Sequence, residues 1–417
     1  MLDYEQDSVV VIQSCLLIGY WYSNLQDRTQ SWHWTGIAIS TAQTIGLHRS
    51  PDAKCHNSLL SSATRRLWKN LWWCCVSRDR WLAYGSGRPV RIKASDHDMP
   101  FPDGECMLLP PDPTLYSRTR LVPSELSRLQ FLFLGLLRLS VVLGDIIETV
   151  YRPQQHQASG NDVISSLAQR LQSCFLEKTL DARDTGDTAL VDFFIMYAQI
   201  HVEAATIALY RPFTTELSRP PGQSDPVLRL AADTAVRKAA SQTNALLDRM
   251  ISADTLIFAG PTMVSLLIPA MTIHLHEVHS SDQFAKAWSH NRLDFCLLVL
   301  KHLESNYPAA TLIHKLFVHA RDRNCLPFGL SPGQDNADQT VDVADKGDGE
   351  SSNSHDGNCY PLGKDILTIP DAMLPTPSSH HQFSLSSVED EGLNTWLLDN
   401  CASSLFSADI DSFLNIG

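Results

Sequence analysis

Three histidines and a glutamate stand together at His274, His276, Glu277 and His279, residue types that ligate zinc or relay protons. The zinc-protease helix needs two histidines four apart, with the glutamate directly after the first, so that both rings share one face. Here Glu277 follows His276 but the next histidine comes three residues on, so a metal site is not expected. A second set, Asp96, His97 and Asp98 with His48 upstream, puts carboxylates and imidazoles in short order. Its plainer reading is that His48 packs beside a helix end while the two aspartates cap or brace the turn from Gly85 to Pro89. The ten cysteines fall at 15, 55, 74, 75, 106, 174, 296, 325, 359 and 401 without one Cys-x-x-Cys pair. They read as free thiols of a reducing compartment, not as a thiolate metal framework. No Gly-x-Ser-x-Gly elbow, phosphate-binding loop, dinucleotide fingerprint or Asp-Asp-x-x-Asp run occurs, and enzyme activity is not expected.

The carboxylate with the most structural consequence is Asp79. Trp68, Leu71, Trp72, Cys75 and Leu82 recur at three- and four-residue steps and share a helical face, which demands a large apolar partner. Asp79 lies on the same stripe, and burying a carboxylate costs several kcal/mol unless a cation and hydrogen bonds meet it. An arginine is therefore expected beside it, drawn from Arg49, Arg65, Arg66 or Arg88. The tryptophans Trp68, Trp72, Trp73 and Trp81 line a small-molecule pocket or fill a core, with the core reading ahead. The helix should stop at Gly85-Ser86-Gly87, where both glycines accept positive φ and Pro89 blocks a restart.

Helical periodicity covers most of the chain, and no alternating strand pattern or Asn-Gly hairpin interrupts it. The spacing predicts helices over 9–22, 31–45, 63–84, 124–151, 162–180, 188–210, 226–251, 261–278, 281–307 and 309–321, an all-α array of about ten helices with a disordered acidic C-terminal tail. The first two should pair antiparallel across a short polar connection. Ser61 or Ser62 is the expected cap of the third. The proline-rich run from Pro100 to Pro123 reads as a surface crossing or lid. Leu256 to Leu275 has the length of a membrane span, yet Gly260, Pro261 and Pro269 and the lack of basic flanks favour a buried helix. The acidic start, Met-Leu-Asp-Tyr-Glu-Gln-Asp, is unlike a signal peptide, so neither secretion nor a membrane is expected.

Of the 417 residues, those from Leu326 onward carry 15 carboxylates against two lysines, which accounts for the whole net charge of −13. The neutral body lacks the cationic surface that dominates DNA affinity, so direct DNA binding by this chain is not expected. The charge and composition divide the chain into a domain over 1–325, a disordered acidic linker over 326–387 and a segment over 388–417. That last segment interleaves Leu393, Trp396, Leu397, Leu398, Leu405, Phe406, Ile410, Phe413 and Leu414 with carboxylates. It reads first as an activation segment that a coactivator groove takes up as an amphipathic helix. A helix docking back on the domain and an inert tail are the other readings.

Several blocks stand in register. They are Gly46-Leu47-His48-Arg49-x-Pro51, then Arg65-Arg66-Leu67-Trp68 leading through Trp72 and Trp73 to Asp79-Arg80, then Gly87-Arg88-Pro89-x-x-Ile92, then Asp96-x-Asp98-x-Pro100-x-Pro102. This order resembles the middle regulatory domain of fungal zinc-cluster transcription factors, most closely the branch with the cutinase transcription factors and regulators of secondary-metabolite clusters. The resemblance implies a helical regulatory domain of an RNA polymerase II regulator in the nucleus, and it makes the quoted residues the structural and regulatory signature. It further implies zinc and DNA contact through a six-cysteine cluster whose spacing this sequence does not contain, so no cofactor is expected within the chain. Coactivators reached through the tail, a homodimer or heterodimer, and a small-molecule inducer are the implied partners. The alternatives are a DNA-binding-deficient member that dimerises with and modulates a full-length regulator, and a helical small-molecule-binding protein.

Overall fold

The computed structural model describes residues 5–20, 30–50, 61–102, 125–151, 161–174, 188–214, 226–278 and 282–323. Among them the regular elements are helical: α1 (Ser8–Ile18), α2 (Gln30–Thr44), α3 (Ser62–Ser86), α4 (Leu126–Val150), α5 (Asn161–Ser173), α6 (Ala189–Tyr210), α7 (Pro226–Ser252), α8 (Thr262–Glu277), α9 (Gln283–Leu303) and α10 (Pro308–Arg323), with 3-10 turns at Ala94–Asp96, Arg211–Phe213 and Leu256–Phe258. The expected all-α array is what the described residues form. The linker and the 388–417 segment, Pro51 and the stretch after Pro102 lie outside them.

The helix ends follow from local chemistry. Asp7 caps α1 by accepting the Val9 N–H at 2.9 Å, and Ser61 caps α3 by accepting that of Thr64 at 3.1 Å. At the end of α2, Gly46 takes φ 81° while Leu47 N–H reaches Ala42 O at 2.8 Å and Gly46 N–H reaches Gln43 O at 3.1 Å. These are the paired bonds of a Schellman ending, and buried Leu47 supplies its apolar contact. The end of α3 corrects the expectation of two turn glycines. Helical geometry continues through Gly85, and Gly87 alone adopts positive φ, at 62°.

Three large apolar clusters and two smaller ones hold the described helices. The first gathers α1, α2, α3 and the start of α4 around Trp72, the second α3, α4, α5 and α6 around Leu143 and Ile146, and the third α6 to α10 around Leu267 and Leu300. The start of α2 lies at the end of α1, where Ser31 Oγ donates to Gly19 O at 2.5 Å, so the two helices run antiparallel as expected. Helix α6 separates the second and third clusters. Its alanines at 198, 204, 205 and 208 are buried, and small side chains let neighbouring backbones come close. Tyr84 and Tyr151 donate to the carbonyls of Ala204 and Ala208 at 3.2 and 2.7 Å. Helices α4 and α6 are long and apolar enough to cross a membrane, yet most of each is buried inside the array. The Leu256–Leu275 stretch breaks into a 3-10 turn and α8, whose apolar side chains fill the third cluster.

Candidate functional site

The signature blocks converge on α3. Asp79 has no exposed surface, and its Oδ2 accepts the backbone N–H of Arg91 at 2.9 Å and of Ile92 at 3.0 Å. Arg80 Nη1 stands 3.8 Å from the same oxygen, and Arg80 Nη2 donates to Ile92 O at 3.1 Å. A segment without regular secondary structure must find partners elsewhere for the amides it buries. Here the two side chains of adjacent α3 residues supply both an acceptor and a donor to that segment. Burial raises the Asp79 carboxyl, against the pull of the Ile92 amide and the Arg80 guanidinium. Burial likewise lowers Arg80, against the attraction of Asp79. The cation beside Asp79 is thus its own neighbour, not Arg49, Arg65, Arg66 or Arg88. Four-residue stepping misses it, because Arg80 reaches the carboxylate by wrapping along α3 into space that α4 leaves open.

That space is made by Gly144. A Cβ built there would stand 2.7 Å from Arg80 Nε, closer than non-bonded atoms tolerate. The sequence signal was a lone glycine in the apolar run Leu-Ser-Val-Val-Leu-Gly-Asp-Ile-Ile. A second missed contact ties the same segment to α2. The Arg91 guanidinium lies 3.6 Å over the Trp32 ring and donates to Trp32 O at 2.8 Å. Gly36 gives it room, since a Cβ there would be 3.2 Å from Arg91 Cζ. Arg88 stands farther from the same ring, at 5.1 Å.

The remaining signature residues lock two loops together. Asp98 Oδ1 accepts the Ser50 N–H at 2.7 Å, Asp98 N–H reaches His48 O at 3.2 Å, and Asp98 Oδ2 meets Arg49 Nη2 at 3.3 Å. Asp98 therefore braces the loop after α2, not the Gly85–Pro89 turn, because its chain segment runs back beside Gly46–Ser50. Asp96 instead closes its own 3-10 turn by accepting the Lys93 N–H at 3.3 Å. His97 sits with Trp72 and Trp73 on two sides, both ring centroids at 5.5 Å, and His48 approaches Trp72 at 6.0 Å. Burial first, then the charge of Arg80, pushes His97 below the usual imidazole range. Trp73 Nε1 donates to Pro100 O at 2.9 Å, and Phe101 packs on its ring at 4.9 Å. Pro102 is buried beside them, while Pro89 is exposed. Arg65, Arg66 and Leu67, near the start of α3, are partly buried, and Leu67 packs against the cluster around Trp72.

The tryptophans divide between core and edge. Trp72 and Trp73 are buried in the first cluster, and Trp68 and Trp81 pack partly buried against the clusters. None of the four lines the open groove of about 660 Å3 along α2, whose walls include Trp32, Gly36, Ile37, Ser40 and Arg91.

The histidine set on α8 is a brace between helices. His274 is fully buried, its Nε2 is 2.7 Å from Asn244 Oδ1, and its Nδ1 is 3.7 Å from Glu277 Oε2. Asn244 donates its amide N–H to Arg292 O at 3.0 Å, so its oxygen faces His274 and Nε2 carries the proton. Glu277 also accepts from Ser289 Oγ at 2.8 Å and faces Arg237 at 3.3 Å. His279 lies outside the described residues. Among those described, no three His, Cys, Asp or Glu residues are grouped to hold a metal. The zinc implied by the resemblance would need clustered thiolates. Cys15, Cys75 and Cys296 are buried on three different helices and Cys174 just past the end of α5, and burial pushes the last two of the four in sequence up to about 11 and about 12. These cysteines do not fit such a cluster.

Residues 1–175 match the fungal specific transcription factor domain. The chain is 28% identical over 346 residues to cutinase transcription factor 1 beta of Fusarium vanettenii, covering 74% of this chain and 38% of that protein. It is 26% identical over 327 residues to cutinase transcription factor 1 alpha of the same organism, covering 76% and 33%. Over 98 residues it is 31% identical to the acetamidase regulatory protein of Emericella nidulans, covering 23% and 12%. No solved structure matches. The match thus spans about a third of the length of these cutinase-factor relatives. The resemblance read from the signature blocks is borne out, and the matched proteins are regulators of transcription, not enzymes.

Proposed function

With a fungal specific transcription factor domain over residues 1–175 as the starting point, we propose that this chain is the regulatory part of a zinc-cluster-type regulator of RNA polymerase II genes. The observation that carries this reading is the match of that domain together with the knot at α3, where the signature residues hold loops in place. Asp79, Arg80 and Asp98 are each engaged by backbone groups, an arrangement suited to keeping a recognition surface in shape. The relatives named for cutinase and acetamidase control favour a metabolic or secondary-metabolite gene cluster as the target. DNA contact falls to a six-cysteine zinc cluster of the kind the family carries and to a homodimer or heterodimer partner, since the neutral body offers no phosphate-neutralising surface. The protein acts in the nucleus. The groove beside Trp32 and Arg91 is where a small-molecule inducer would bind.

Residues 388–417 recruit coactivators in this reading. The test fuses them to a heterologous DNA-binding domain, beside a variant with Trp396, Leu397, Leu398, Phe406 and Phe413 changed to Ala. Reporter output that the variant loses is expected. Silence from both removes the activation role.

A further inference from the structure

Helix α9 leaves an apolar stripe facing outward. Phe284, Trp288 and Leu298 are 76%, 51% and 62% exposed. At 100° per residue they fall within about 80° of one another around the helix, along about 21 Å of its length. Phe284 and Trp288 stack with centroids 6.4 Å apart and planes 10° off parallel. Arg292 lies 4.9 Å over the Trp288 ring and is held there by donating to Ser241 Oγ. A stacked aromatic pair with a guanidinium fixed upon it is the composition of an interface hot spot, not of a solvated helix face.

The course of the chain names an occupant. His314 of α10 meets Glu304 of α9 at 3.0 Å, and further along Arg321 meets Asp294 at 2.6 Å. As α10 advances it therefore runs back along α9 toward the aromatic pair, and it ends at Arg323. Trp288 lies about 9 Å beyond Asp294 in that direction. From Arg323 the sequence still has 94 residues to run. The 64 of them before Val388 have a contour length many times the length of α9, enough for the chain to bring 388–417 back onto it.

The chemistry of that segment is complementary. Phe406, Ile410, Phe413 and Leu414 stand at helical spacing, and the segment carries six carboxylates without a lysine or arginine. On the helix surface the stripe has Arg292 at one side and Lys301 and Arg321 at the other. Lys301, 64% exposed, is paired with Glu304 and open to a further carboxylate, whereas Arg321 is partly buried and held by Asp294 and Asp322.

We propose that the Phe284–Trp288–Leu298 face of α9 is a docking site for the acidic, aromatic segment 388–417 of the same chain. Bound there, the segment buries Phe406 and its neighbours against the stripe and is withheld from other partners. Tethering supplies an effective concentration that a free acidic peptide does not have. The docking does not require that the segment activates transcription, and the two are tested apart.

The test uses the full chain with p-benzoylphenylalanine in place of Phe406, irradiated as a mixture of isotopically heavy and light copies and mapped by mass spectrometry. Adducts within one copy to residues 284–298 are expected. Their yield should fall roughly tenfold in F284A/W288A, as when an aromatic hot spot is truncated. Both residues are exposed and Ala favours helix, so the variant should keep its circular-dichroism melt. A second variant, D409K/D411K, leaves the body untouched and should lower the same yield. Adducts only between heavy and light copies would make the face a self-association surface and overturn the proposal. Adducts elsewhere on the body, or none, would overturn it too. A silent reporter fusion alongside intact adducts would remove the activation role and leave the docking standing.

Discussion

Asp79 accepts the backbone N–H of Ile92 at 3.0 Å with no solvent on either side of the bond. A helix and a segment without secondary structure of its own are thereby joined through a single carboxylate, whose neighbour Arg80 takes the Ile92 carbonyl. Removing that carboxylate strands two amides in the interior. D79A is expected to lower unfolding free energy by about 3–5 kcal/mol, and D79N, which keeps one acceptor oxygen, by about 1–3 kcal/mol. Urea titration of both variants checks the order. Equal losses would mean that charge, not the acceptor geometry, holds the segment.

Gly144 and Arg80 should behave as one unit. G144A forces a methyl against the guanidinium and should cost about 1–3 kcal/mol. In R80A/G144A the methyl meets no guanidinium, so the double variant should be less destabilised than the sum of the single changes. Strict additivity in a double-mutant cycle would argue against the contact.

Arg49 and Asp98 separate an exposed ion pair from a loop brace. Their side chains are 64% and 49% exposed, and R49A should change stability by less than about 1 kcal/mol, with the difference shrinking in salt. D98A also releases the Ser50 amide and should cost more, about 1–2 kcal/mol, at any ionic strength. Thermal melts at low and high salt distinguish the two.

His201 gives the body a pH dependence. Its Nδ1 lies 2.8 Å from Tyr197 O between the Trp81 and Tyr197 rings, and burial pushes its pKa down from 6.5 to about 4. The unfolded chain takes up a proton below pH 6.5 that the folded chain refuses until about pH 4. The histidine's contribution is therefore full above pH 6.5 and is lost progressively as pH falls toward 4, by about 3 kcal/mol in all. Glu203, raised by burial from 4.5 to about 7, works in the opposite sense across that interval, its contribution being lost as pH rises, so the two overlap. The readout is accordingly the difference between wild type and H201N, whose amide can still donate to Tyr197 O. That difference should narrow as pH drops from 6.5 to 4, and a constant gap would contradict the assignment.

Hydrophobic spacing at three and four residues was enough to read the helical array, because a helix that buries one face writes its period into the chain. Gly46 and Ser61 were legible for a similar reason, since helix ends are made by local bonds among near neighbours in sequence. The burial of Asp79 was legible from its place on the Trp72 stripe. Its partners were not. The amides of Arg91 and Ile92 carry no side-chain signature, and the cavity that admits Arg80 is the absence of a methyl on α4. The brace from Asp98 to Ser50 and the stack of Arg91 on Trp32 likewise join segments far apart in sequence. Periodicity reports which face of an element is apolar, whereas the identity of the group opposite it depends on how the elements are set against one another. For α3 that decision was made by α2, α4 and the segment from Arg88 to Pro102 closing on one carboxylate.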